Sequence, residues 1–82
     1  MSTPANRYHI GDDTNGLACT ERTRAMAFGR ADSLQMRLYR EGQRDTVWVY
    51  DSMARRGCCQ QWTVFCGTIT ESAYRTRGVT TR

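Results

Sequence analysis

The sequence predicts an α+β domain of two layers, a mostly antiparallel sheet of four or five strands with one helix packed on a face, in the order ββαβββ. Three observations lead there. Short runs of β-branched and aromatic residues recur along the chain, Thr46-Val47-Trp48-Val49-Tyr50 being the clearest. One stretch, from Glu21 onward, is rich in helix formers instead. Finally, 82 residues suffice for a single domain with a thin core and no more.

Taken in order, the first six residues read as a frayed terminus. Residues 7–10 form a short strand with Tyr8 and Ile10 on one face. Residues 11–16 form a turn ending in Asn15-Gly16, the pair a tight hairpin prefers, and residues 17–20 return as the second strand. Thr20 is placed to cap a helix with Glu21 in its first turn. That helix covers residues 21–31 and has two candidate ends. One stops it between Gly29 and Asp32 and starts a strand at Ser33, where Leu34, Met36 and Leu38 alternate with polar neighbours and Tyr39. The other carries the helix on to Glu41, with Ala27, Ala31, Leu34 and Leu38 on one face and Gly42 as its stop. The alternation favours the strand, which gains a hairpin partner in residues 45–50 across a turn at 41–44.

Residues 46–50 are the next strand. Residues 52–57 are a loop or a short helical turn carrying Arg55 and Arg56, and residues 61–66 are another strand, which residues 68–70 extend past Gly67. Fraying is expected from Ala73 onward. No internal repeat or low-complexity segment interrupts this single domain, residues 1–82.

Composition narrows the function. All twelve basic residues are arginine, and Ile and Asn are scarce, as a GC-rich bacterial or phage genome dictates without any functional demand. The net charge of +4 permits contact with nucleic acid or an acidic surface and requires neither. No apolar run follows the polar start, and none approaches a membrane span, so the expected location is the bacterial cytoplasm, with no membrane partner. There the four cysteines are expected as thiols.

Candidate chemistry is sparse. His9, Cys19, Cys58, Cys59 and Cys66 are the zinc-ligand types, but no C-x-x-C occurs and Cys58-Cys59 are adjacent, so no metal site is expected. Arg55 and Arg56 beside that pair would lower a thiol pKa, yet ordinary loop cysteines explain them. Residues 12–16 have a calcium-loop flavour without the closing Glu, and hairpin chemistry accounts for them. A small ribonuclease with His9 as acid or base is the most defensible enzyme, but the lone histidine reads better as a surface strand residue. No catalytic residue and no cofactor is therefore assigned.

Binding has more support. Trp48, Tyr50, Trp62 and Tyr39 fall on expected strands, where aromatic rings stack bases while arginines hold phosphates. In strand 46–50, alternation puts Trp48 and Tyr50 on one face and Val47 and Val49 on the other. If the helix covers only one side, one of these pairs faces away from the core. An outward Trp48/Tyr50 patch flanked by Arg37, Arg40, Arg44, Arg55 and Arg56 is the candidate partner-binding site.

The length, the compact ββα start from Tyr8 to Ala31 and the run Val47-Trp48-Val49-Tyr50-Asp51, without a catalytic motif, resemble the small inhibitor proteins of phages and mobile elements, anti-CRISPR proteins among them. The likeness is of genre over most of the chain, rests on no diagnostic motif and transfers no functional residue. It implies a stoichiometric inhibitor that occludes a host protein, enzyme or ribonucleoprotein such as a CRISPR effector. A nucleic-acid-binding regulator using the same face is the alternative, and a homodimer is left open.

Overall fold

The computed structural model describes residues 6–75. One helix packs against a five-stranded antiparallel sheet, and the element order is ββαβββ. The strands are β1 (Tyr8–Asp12), β2 (Gly16–Glu21), β3 (Val47–Asp51), β4 (Cys59–Phe65) and β5 (Thr68–Tyr74), and the helix is α1 (Arg24–Arg40). Across the sheet they run β2-β1-β3-β4-β5, so β1 lies between its hairpin partner and β3.

The first hairpin is set by Asp12. Its side chain is buried and accepts from the N–H groups of Thr14 (3.0 Å) and Asn15 (2.8 Å), an Asx-type turn that delivers the chain to β2. Thr20 belongs to β2 and does not cap the helix. The cap is Thr23, whose hydroxyl accepts from the Met26 N–H at 3.3 Å.

Residues 33–41 are not a strand. Residues 33–40 continue α1, which runs for 17 residues. Three alternating apolar residues carry too little signal to tell a strand from a buried helix stripe. The longer pattern decides the matter: Ala27, Ala31, Gln35 and Leu38 repeat at helical spacing and all are buried, whereas Met36 is 46% exposed. The stop is a Schellman motif at Gly42, φ +87°, with Gly42 N–H donating to Tyr39 O (3.1 Å) and Gln43 N–H to Leu38 O (2.8 Å). The expected hairpin across 41–44 is therefore a helix-to-strand connection.

The missing strand is made up at the other end. Cys66 (φ 49°) and Gly67 (φ 81°) form a two-residue turn with both residues left-handed, and Phe65 pairs with Thr68 across it. Residues 68–70 thus do not extend β4. They begin β5, which runs through Ala73, where fraying was expected, as far as Tyr74. The remainder of the two expected frayed ends, residues 1–5 and 76–82, lies outside the described residues.

The core lies between α1 and the three inner strands, β1, β3 and β4. Ile10, Val47, Val49, Val64 and Trp62 meet Ala27, Ala31 and Leu38 of the helix, whose alanines let the backbones approach closely. The helix touches β1 to β4 but not β5, which is exposed along its whole length. Gln35, fully buried on α1, accepts from the Cys66 N–H at 2.9 Å and so ties the helix to the β4–β5 turn.

Candidate functional site

The helix covers one face of the sheet, and among the described residues no helix or strand packs on the other, bare face. Val47 and Val49 are wholly buried beneath α1, so strand alternation turns Trp48 and Tyr50 to the bare face, where both are half-buried. The cross-strand register extends this into two rows. One runs Thr20, His9, Tyr50, Gln61, Ala73, and the other Leu17, Gly11, Trp48, Thr63, Thr70. Neither row contains an Asp, Glu, Lys or Arg, in a chain whose net charge is +4.

At the centre is an open depression of about 500 Å³, lined by His9, Asp13, Leu17, Trp48, Tyr50 and Gln61. Tyr50 is held from two sides: the Gln60 amide donates to its hydroxyl at 3.0 Å, and the His9 ring lies 6.2 Å away, tilted by 59°. Trp48 lies over Gly11, the residue opposite it on β1. Among the described residues no hydrogen bond ties the His9 imidazole to a carboxylate, the arrangement that sets the tautomer of a catalytic histidine.

The other candidate residues are elsewhere. Among the described residues no arginine lines the depression. Arg37 and Arg40 stand on the last turns of α1, facing a groove along β2. Arg44 stacks its guanidinium over Tyr39, 5.4 Å from the ring centre. Arg55 lines a helix-side pocket of about 330 Å³ with Arg7, Arg24, Asp51 and Cys58, and Arg56 is exposed on the loop beside it. The expected aromatic patch ringed by arginine is thus divided: the aromatics share one face, and the arginines are distributed around the helix side and the loops.

Two aromatics also leave the expected set. Trp62 is buried beneath α1, edge-on to Phe28 at 5.3 Å and with the Arg24 guanidinium 4.7 Å from its ring centre. Tyr39, on the helix rather than a strand, packs against Phe65 at 6.4 Å. Leu17, Gln61 and Thr63 are face residues that the sequence did not single out. Extending strand alternation from Trp48 across the paired strands locates them once the register is known.

The helix-side pocket is held by Arg7 and Asp51, which join the start of β1 to the end of β3. Arg7 Nε and Nη2 donate to the two Asp51 oxygens at 2.7 and 2.8 Å. Burial pushes the Asp51 carboxyl up, but hydrogen bonds from Arg7 and the Met53 N–H, with the charges of Arg7 and Arg24, outweigh it and hold the group below its ordinary value. Cys58 is exposed, Cys59 is buried, and all four cysteines are free. Among the described residues no three of His, Cys, Asp or Glu converge to hold a metal ion, and no helix is long and apolar enough to cross a membrane. No family model, curated protein or solved structure matches the chain.

Proposed function

We propose that this chain is a non-catalytic binding protein that docks its bare sheet face on a partner protein. The observation that carries the reading is the arginine-free, aromatic-centred face built on Trp48 and Tyr50. A soluble monomer has little use for a half-exposed tryptophan and tyrosine side by side, whereas Trp and Tyr anchor protein interfaces more often than other residues. A nucleic-acid surface needs cations to meet phosphate, and the two rows supply none. The depression is wide and open, which suits a contact surface better than a reaction chamber.

The resemblance to phage and mobile-element inhibitors supplies the class of partner. The face would occlude a surface of a host enzyme or nucleoprotein complex in the bacterial cytoplasm, stoichiometrically and without a cofactor. The test is affinity capture of tagged protein from nuclease-treated lysate of a GC-rich bacterium, run beside Trp48→Arg. A stoichiometric protein band captured by the natural chain and lost with Trp48→Arg supports the reading. Nucleic acid in the eluate of an untreated lysate, with protein bands lost on nuclease treatment, overturns it in favour of the nucleic-acid regulator.

A further inference from the structure

The second surface lies on the opposite side of β2. As an edge strand, β2 pairs only with β1. None of its backbone groups takes a turn or loop hydrogen bond among the described residues, so its outer N–H and C=O groups are open. Beside that edge runs a groove of about 360 Å³ between β2 and α1. Its floor is apolar, made by half-buried Cys19 and Leu34 with Ala18 at the lip.

The wall of the groove is cationic. Arg30, Ser33, Arg37 and Arg40 follow one another along α1 at helical spacing and line its length. Arg30 is already engaged, its Nε 2.8 Å from the Glu21 carboxylate. Arg37 and Arg40 have no carboxylate partner among the described residues, and no acidic residue lines the groove. The helix dipole accounts for arginine in a last turn. It does not account for the open strand edge and apolar floor that these two arginines overlook.

We propose that the groove between α1 and the free edge of β2 takes an extended acidic peptide segment, which pairs its backbone with β2 and sets its carboxylates against Arg37 and Arg40. Strand addition supplies main-chain hydrogen bonds, and alternate side chains of the segment enter the groove. Guanidinium meets carboxylate bidentately, so the charge pattern selects acidic sequences. A nucleic-acid strand fits less well. No aromatic side chain lines the groove to stack a base, and a sugar-phosphate backbone cannot continue a β-ladder.

The experiment titrates the full chain into a fluorescein-labelled twelve-residue peptide of alternating Glu and Thr and reads fluorescence anisotropy. Controls are the same peptide with alternate amides N-methylated and a dT12 oligonucleotide. The expected result is saturable binding that weakens about tenfold or more in Arg37→Gln/Arg40→Gln, whose fold is verified by circular dichroism. The N-methylated peptide, equal in charge but unable to complete the ladder, fails to bind, and bound peptide slows amide exchange in residues 16–21. Trp48→Arg leaves the titration unchanged, so failure here is distinct from failure of the sheet-face reading. No saturation up to about 1 mM peptide overturns the proposal. So does equal binding by the double variant or by the N-methylated peptide, and tighter competing binding of dT12 moves the groove to nucleic acid.

Discussion

Trp48 rests on Gly11, its opposite number on β1. A Cβ built at position 11 would stand 2.6 Å from Trp48 Cζ2 and would also collide with the Gly16 carbonyl. The glycine is buried despite having no side chain, because the indole covers it. An aromatic ring laid over a cross-strand glycine is a known way to protect that weak point in a sheet. Here the same contact sets how the indole is presented to solvent.

Gly11→Ala is therefore expected to move the indole and strain the β1–β2 hairpin. A stability loss of about 1–3 kcal/mol follows from overpacking of this kind. Tryptophan fluorescence should shift as well, and partner capture should weaken. Urea unfolding monitored by emission and by far-ultraviolet circular dichroism measures both effects on one sample.

The two tryptophans should respond in opposite ways. Trp62 is 4% exposed in the core, and Trp62→Ala is expected to cost about 3–5 kcal/mol, enough to unfold much of a domain this size. Trp48→Ala should cost about 1–2 kcal/mol and remove partner binding. Thermal melts combined with affinity capture separate the roles. A Trp48→Ala protein that captures its partner undiminished would contradict the sheet-face reading. Arg55→Glu/Arg56→Glu, on the loop by the helix-side pocket, should leave capture intact.

Which parts of this were legible in the chain follows from the range of the forces involved. That Trp48 and Tyr50 share one face and Val47 and Val49 the other was readable because strand alternation is local. The fate of residues 33–41 was not, because Leu34, Met36 and Leu38 fit a strand over five residues while the helix asserts itself only over seventeen. Gln35 hid the stripe: a polar residue at a core position breaks the pattern, and its partner, the Cys66 N–H, is 31 positions away. The location of the arginines was unreadable for a similar reason. Which side of the sheet the helix covers, and where the loops lead, depend on packing between distant segments.

The β4–β5 turn offers a stabilising substitution. Cys66 adopts φ 49°, a left-handed backbone that a cysteine adopts at a cost and asparagine tolerates well. Its N–H bond to Gln35 involves only the backbone of position 66, so the substitution keeps it. Cys66→Asn is expected to add about 0.5–1 kcal/mol and raise Tm by several degrees. Differential scanning calorimetry under reducing conditions is the test.

Acid should act through Asp51. A carboxyl held below its ordinary value in the folded state contributes stability that is complete above that value, near pH 4, and is lost as pH falls through the folded value. Unfolding free energy should thus be flat near neutrality and decline below about pH 4. Asp51→Asn should lower the neutral plateau by about 1–2 kcal/mol, the low end for a charge-assisted pair because Arg7 faces solvent, and make the acid limb shallower. Urea titrations at pH 7 and pH 3 decide it. Parallel acid limbs in the two proteins would assign the effect to other carboxyls.

The helix stops short of β5, so that strand is attached by a single ladder to β4, by its turn and by the Arg75 contacts with Ala54 and Cys58 at its far end. Its opening removes no residue from the core, since every one of its residues already meets solvent. Opening of this kind is a separate, lower-energy event than global unfolding. The domain is thus expected to unfold as a four-stranded cooperative unit from which the fifth strand detaches first. Amide exchange in residues 68–74 would report the release of that strand, and exchange in β1 and β3 the unfolding of everything else.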